Sequence, residues 1–203
     1  MYSEKLMEIY GLLYDRYGPQ HWWPGDSRIE IIVGAILTQN TNWGNVEKAI
    51  ANLKSAGCLT VKRLTESDIA TLSELIRPAG YYNIKARRLK NFMEWLNHQS
   101  PAGSLDAVEA TDTELLREQL LTVKGIGPET ADSILLYAFE RCVFVVDTYT
   151  WRVLGRHGLL DHDNDYEQIR DLFESNLRRD VRLFNEYHAL LVRLGKEHCR
   201  PKA

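Results

Sequence analysis

The chain has 203 residues, 44% hydrophobic and 26% charged, enough to bury a core as one domain or as two small lobes. No apolar run reaches the roughly 20 residues of a bilayer span, and Met1-Tyr2-Ser3-Glu4-Lys5 lacks the basic-then-apolar pattern of a signal peptide, so a cytoplasmic protein without a membrane partner is expected. The three scattered cysteines, Cys58, Cys142 and Cys199, offer neither a disulfide framework nor a metal quartet, and the net charge of −3 counts against nucleic-acid binding unless basic groups cluster locally.

Leu6, Met7, Ile9, Tyr10, Leu12, Leu13 and Tyr17 recur at helical spacing and stop at Gly18-Pro19, predicting a core helix over residues 3–17. His21-Trp22-Trp23-Pro24-Gly25-Asp26 is a turn-rich loop whose tryptophans are either packing anchors or stacking surfaces for a base. Ile29 to Leu37 is almost wholly apolar and predicts a buried helix. It runs into Thr38-Gln39-Asn40-Thr41-Asn42-Trp43, polar groups that either cap the helix or line a cleft. Val46–Leu53 and Ile69–Ile76 read as amphipathic helices, the second capped by Ser67-Asp68. Gly80-Tyr81-Tyr82-Asn83 breaks the pattern. The helix expected over Lys85–Leu96 has Leu89, Phe92, Met93 and Trp95 on its apolar side, and from Arg77 to Met93 there are five basic residues, Arg77, Lys85, Arg87, Arg88 and Lys90, and no acid. Ser100-Pro101-Ala102-Gly103-Ser104 reads as a loop. Further helices are expected over Thr113–Val123, Thr130–Phe139, 149–160 and 166–198, the last two separated by Asp161-His162-Asp163-Asn164-Asp165. That acidic run lacks the glycine and bidentate glutamate of a calcium loop and reads as a solvated turn with a helix cap. With no clear strand, repeat or low-complexity tract, the fold class is all-α.

The stretch with most chemistry begins at Val123. Gly125 and Gly127 bracket Ile126 between two helices, and a residue without Cβ lets the backbone approach a ligand closely. Pro128 suits the first turn of the following helix, whose N–H groups make phosphate a natural ligand; a plain packing turn is the alternative. Asp147 then follows Val143-Phe144-Val145-Val146, an acid at the edge of an apolar segment.

These residues resemble the helix-hairpin-helix DNA base-excision glycosylases of the endonuclease III superfamily. Val123-Lys124-Gly125-Ile126-Gly127-Pro128-Glu129-Thr130-Ala131 matches the hairpin, and Val146-Asp147-Thr148-Tyr149-Thr150-Trp151-Arg152-Val153 the segment carrying the family's aspartate. Leu37-Thr38-Gln39-Asn40-Thr41 and Gly80-Tyr81-Tyr82-Asn83-Ile84-Lys85-Ala86 match two more segments in the right order. The resemblance implies two helical lobes with a cleft between them: residues 25–135 as a six-helix lobe ending in the helix-hairpin-helix, and 1–24 with 136–203 as the second. It implies a monomer that extrudes a damaged base from double-stranded DNA and is nucleoid-associated when bound. Gln39 would fill the gap left by the extruded nucleotide and Tyr81 would wedge into the opened stack. Asn40, Lys85, Arg87, Arg88, Lys124, Gly125, Ile126, Gly127 and Thr130 would hold the DNA. The family's hairpins can hold a monovalent cation on their backbone carbonyls, and the resemblance extends that option to this one.

Breaking an N-glycosidic bond builds positive charge on the sugar, so an ionised carboxylate near C1′ stabilises the transition state or activates water. Asp147 is the candidate, and capping a helix is compatible with that role. The family's strand-cutting members carry a lysine nucleophile where this chain has Glu129, which cannot form a Schiff base. A monofunctional enzyme without AP-lyase activity is therefore expected. Leu194-Gly195-Lys196-Glu197-His198-Cys199 is similar to the approach to the family's four-cysteine iron–sulfur cluster, but only four residues follow and no cluster is expected in this chain. Glu129 together with Trp22, Trp23, Pro24 and Trp43 resembles the base pocket of the 3-methyladenine DNA glycosylase III branch. An alkylated purine is cationic, is attracted to an indole face, and departs neutral without a protonating acid. The competing readings are a glycosylase for oxidised or mismatched bases, a non-catalytic helix-hairpin-helix DNA-binding module, and a helical interaction protein.

Overall fold

A computed structural model describes residues 2–100, 103–160 and 163–200; the middle of the expected 100–104 loop and Asp161-His162 of the acidic turn lie outside the described residues. In chain order the helices are α1 (Tyr2–Tyr17), α2 (Arg28–Leu37), α3 (Trp43–Ser55), α4 (Val61–Glu66), α5 (Ile69–Leu75), α6 (Tyr82–Gln99), α7 (Leu105–Glu109), α8 (Thr113–Thr122), α9 (Pro128–Ser133), α10 (Thr148–Arg156), α11 (Tyr166–Asn176) and α12 (Val181–Glu197). A 3-10 turn, Arg77–Ala79, precedes α6, and α9 widens into a π turn over Ile134–Ala138. No strand occurs among the described residues, and the protein is all-α.

Most helix starts are set by one polar side chain. Ser27, Asn42, Thr60, Asp68, Asp112, Asp147, Asp165 and Asp180 each accept a hydrogen bond from a backbone N–H of the turn they precede, a contact typically worth about 1 kcal/mol. Asp165 and Gln168 complete a reciprocal capping box at the end of the acidic turn.

Packing divides the chain into two units, Gly25–Phe139 on one hand and Met1–Pro24 with Glu140–Ala203 on the other. In the first, α2 is the central post. Ile32, Val33, Ile36 and Leu37 are wholly buried, each contributing roughly 1.5–3 kcal/mol of burial, and α2 packs on α3, α6, α9 and the π turn. Among the described residues this unit has eight α-helices rather than six, because α4 and α7, of six and five residues, are too short to show an apolar period. It extends to Phe139 because the helix begun at Pro128 runs through buried Ile134–Ala138.

In the second unit, α12 packs on α10 and α1 around an aromatic cluster of Phe144, Phe173, Phe184 and Tyr187, with the Tyr187 and Phe173 rings 5.3 Å apart edge to face. The expected helix over 166–198 is interrupted: Leu177 turns extended and buried, and Asp180 starts α12 afresh by accepting from the N–H groups of Arg182 and Leu183.

Candidate nucleic-acid interface and carboxylate site

The hairpin joins α8 to α9 through a turn in which Ile126 N–H donates to the Val123 carbonyl at 2.9 Å. Its two glycines do different things. Gly125 has φ +99°, and a Cβ there would run into the Arg88 side chain, so its reason is internal. Gly127 is extended, with φ −100° and ψ −179°, and a Cβ there would meet nothing within 4 Å. Open space at a hairpin tip fits close approach by an outside group. Ile126 is buried, so only its backbone is presented, whereas Lys124 is exposed and its carbonyl accepts from Asn91 Nδ2 at 2.8 Å. Behind the turn, Arg117 of α8 and the wholly buried Asp132 of α9 form a two-point ion pair with N–O distances of 2.7 and 3.1 Å, which clamps the two helices together.

Gln39, half-buried after α2, is docked on this hairpin. Its Nε2 donates to the Gly125 carbonyl at 3.1 Å and to Thr130 Oγ1 at 2.8 Å, and Arg88 donates to its Oε1. Asn40 beside it is exposed with φ 53°. Tyr81 stands 69% exposed with φ 45°, an unusual left-handed conformation for a tyrosine. Trp43 opens α3 and is half-buried; Glu129 is exposed at the second position of α9.

The basic segment is not the open stripe its sequence suggests. Lys85 is 1% exposed and bonded internally, which corrects its reading as a DNA-contacting residue. Lys90 donates to the carbonyls of Thr65 and Ser67 at 2.5 and 2.9 Å, closing the end of α4. Both lysines satisfy carbonyls that helix ends leave orphaned, a use of charge that composition cannot distinguish from phosphate binding. Arg88 is engaged with Gln39 and Gly125, and Arg77 lies 3.3 Å from Glu74 and over the Tyr82 ring. Arg87 is exposed.

The other unit holds the carboxylate. Val143–Val146 is a buried segment outside any helix: Val143 N–H donates to the Arg141 carbonyl at 2.9 Å, Phe144 N–H to Glu174 at 2.8 Å, and Val146 N–H to the Tyr166 hydroxyl at 3.4 Å. It ends at Asp147, which is buried and caps α10. Oδ1 accepts from Tyr149 N–H (2.9 Å), Thr150 N–H (2.8 Å) and Thr150 Oγ1 (3.0 Å). Oδ2 faces buried His188 of α12, with Nε2 at 3.6 Å. Burial pushes the Asp147 pKa up, but His188 and the Thr150 donors outweigh it and hold the carboxyl below its usual value of 3.8. The close approach of α12 depends on Gly195, where a Cβ would run into the Tyr149 ring. His188 escapes a reading for motifs; its one sequence signal is a polar residue amid the apolar Tyr187-His188-Ala189-Leu190 run.

Trp22 and Trp23 belong to this unit too, half-buried with ring centres 5.1 Å apart, and Lys196 Nζ lies 5.8 Å over the Trp22 ring. Pro24 is exposed. A four-thiolate cluster does not fit these 203 residues, which hold three cysteines: Cys199 is buried with Arg156 donating to its Sγ at 3.0 Å, and Cys58 belongs to the other unit. No group of three or more His, Cys, Asp or Glu side chains able to hold a metal ion occurs among the described residues. None of the described helices is long and apolar enough to cross a membrane.

Residues 33–179 match the family described as HhH-GPD superfamily base excision DNA repair protein. A protein of Methanocaldococcus jannaschii, named as a DNA repair glycosylase, is 48% identical over 98% of this chain and 91% of its own length. Endonuclease III of Sulfolobus acidocaldarius is 34% identical over 84% of this chain and 74% of its own. The structure of Helicobacter pylori 3-methyladenine DNA glycosylase bound to 1,N6-ethenoadenine superposes with a TM-score of 0.84 at 30% identity, covering 98% of this chain and 99% of that one.

Proposed function

The chain belongs to the HhH-GPD superfamily of base excision DNA repair proteins, and from that premise we propose that it is a monofunctional DNA glycosylase that removes alkylated purines such as 3-methyladenine. The observation that carries the proposal is Asp147. Three donors saturate Oδ1 and leave Oδ2 as the oxygen for chemistry, on a carboxyl held ionised despite burial. An ionised carboxylate in a water-poor setting stabilises the cationic sugar far more than it would in water. A positively charged base leaves with the bonding electrons as a neutral purine, so bond breaking needs no acid. Water then adds at C1′ and its proton is lost to solvent or to Asp147. That economy fits a site with one carboxylate, and the indoles of Trp22, Trp23 and Trp43 are suited to a cationic ring. The Helicobacter pylori relative acts on 3-methyladenine DNA and binds a modified adenine, which supports the same substrate class here.

Gln39, Tyr81, Arg87 and the open tip at Gly127 are the groups we assign to the duplex. Glu129 lacks the amine needed for a covalent sugar adduct, so the product is an abasic site in an uncut strand. The chain is proposed to work without a cluster. The test is incubation of wild type and Asp147→Asn with methylated DNA and, separately, with DNA carrying an oxidised pyrimidine. Release of 3-methyladenine by wild type, alkali-dependent breaks, and binding without release by the variant are expected. Release of the oxidised base instead would transfer the chain to the other substrate class. DNA binding without any release would leave only a binding module.

A further inference from the structure

Lys85 is the largest charged side chain wholly buried among the described residues, at 1% exposure. Its ammonium has three N–H groups and three acceptors: the Leu37 carbonyl at 2.8 Å, the Ala79 carbonyl at 2.7 Å and Thr41 Oγ1 at 2.5 Å. Thr41 Oγ1 in turn donates to the Ala79 carbonyl at 2.5 Å. The acceptors lie on two segments distant in sequence, the end of α2 with its 38–42 loop and the 3-10 turn before Tyr81. The loop carries Gln39 and Asn40, the turn carries Tyr81, and Tyr81 holds a left-handed backbone angle that its side chain disfavours. Such strain persists only where the surroundings over-determine it. An apolar side chain in this space would spare the cost of burying a charge while leaving two carbonyls and a hydroxyl without their donor. Nor can an apolar side chain bond both segments at once.

We propose that Lys85 is a positioning residue that locks the 38–42 loop and the 77–81 turn into one register, so that Gln39 and Tyr81 act on the same opened base pair. Its consequence for catalysis rests on the glycosylase reading; the lock itself does not. An ångström of misplacement in groups that must act together can cost about a hundredfold in rate.

The test uses the full chain with Lys85→Met and Thr41→Val, the latter removing one acceptor while keeping the lysine. Hydrogen–deuterium exchange on the free protein reads the lock; single-turnover excision and Kd for methylated DNA read its consequence. Lys85→Met strands three acceptors and is expected to melt below wild type, with amides in 38–42 and 77–81 exchanging at least tenfold faster and those of the remaining helices much less affected. Excision should fall at least tenfold with less than a threefold change in Kd, whereas a merely structural lysine would raise exchange across the whole unit and leave excision by the folded protein near wild type. Thr41→Val should move both loops in the same direction by less, and it decides the question alone if Lys85→Met does not fold. Unchanged exchange in either loop would overturn the proposal. A wild type that excises nothing would overturn the glycosylase reading only, with exchange still deciding the lock.

Discussion

His188 Nε2 lies 3.6 Å from Asp147 Oδ2, and both side chains are buried. The pairing leaves the carboxylate's two oxygens with different work, Oδ1 ordering the start of α10 and Oδ2 facing the ring nitrogen of His188 on α12. His188→Leu is expected to lower single-turnover excision by roughly ten- to a hundredfold, because a carboxylate freed to turn is misplaced relative to the sugar. His188→Gln, whose amide can reach the Nε2 position, should restore most of it with Kd unchanged. Equal losses in both variants would mean that His188 only fills space. Because the Asp147 pKa is lowered in the folded state, its contribution to stability is complete above the usual carboxylate value of 3.8 and disappears as pH falls through the lower folded value. Asp147→Asn, which keeps a good capping side chain, should therefore flatten the acid limb of the stability curve, as read by urea midpoints between pH 5 and pH 2.

The two hairpin glycines should separate stability from binding. Gly125→Ala puts a Cβ at φ +99° into the Arg88 side chain and is expected to cost at least about 1–3 kcal/mol in urea unfolding. Gly127→Ala meets no protein atom within 4 Å and should unfold within about 0.5 kcal/mol of wild type. If the tip touches DNA, the same Gly127→Ala change weakens binding several-fold in an anisotropy titration. Wild-type affinity in that variant would remove the tip from the interface.

How much of this was readable beforehand follows from what each residue's neighbours in sequence can reveal. The Ile29–Leu37 run and the cap at Asp68 are local facts, and both elements form as expected. The hairpin is equally local, since Gly-Ile-Gly-Pro limits what the backbone can do. The fate of the basic residues was not readable. Lys85 and Lys90 find their partners 48 and 25 residues away, at Leu37 and Thr65, where helix ends arrive only after the unit has folded. The same holds for His188, 41 residues beyond the aspartate that gives it meaning. Charge counted along the chain therefore overstated the positive surface, and the family's segments were legible where its supporting contacts were not.

The Arg117–Asp132 pair tests how far the hairpin's geometry depends on its buried clamp. Asp132 is wholly buried and Arg117 nearly so. Asp132→Ala removes one partner and leaves a guanidinium without its carboxylate in the interior, a situation that typically costs about 3–5 kcal/mol. Urea unfolding should register that loss. Replacement of both residues by apolar ones of similar volume should recover much of it, because the cost lies chiefly in the stranded charge. A loss below about 1 kcal/mol for Asp132→Ala would show that water reaches the pair.

Lys85 carries opposite expectations for stability and for loop order. Burial, and then the Arg88 charge, push its pKa down from 10.5 to about 8. Between those values the unfolded chain binds more protons than the folded one, so this group's contribution to stability rises with pH across the window. A neutral amine, however, has two N–H groups for three acceptors, so one arm between the loops is lost. The urea midpoint of wild type relative to Lys85→Met should move in the wild type's favour from pH 7 to pH 10. Wild-type amide exchange in 38–42 and 77–81, corrected for its intrinsic pH dependence, should rise over the same interval. A midpoint difference independent of pH would mean that the lysine keeps its proton throughout.

Glu129 offers the most direct change of chemistry. It is exposed at the second position of α9, where a helix N-terminus favours a negative side chain, so Glu129→Lys should cost only about 0.3–1 kcal/mol at that terminus. The same positive end favours the neutral form of an amine placed there, which is the form that attacks carbon. If position 129 faces C1′ as the family resemblance implies, the variant's amine displaces the damaged base and forms an iminium with the opened sugar. Borohydride reduces that iminium to a stable protein–DNA link visible as a shifted band. Wild type should give no such band at any borohydride concentration that leaves its base release intact. Trapping by wild type would mean that another amine serves as nucleophile and that the enzyme is not monofunctional. Absence of trapping in Glu129→Lys, with base release retained, would put position 129 out of reach of the sugar.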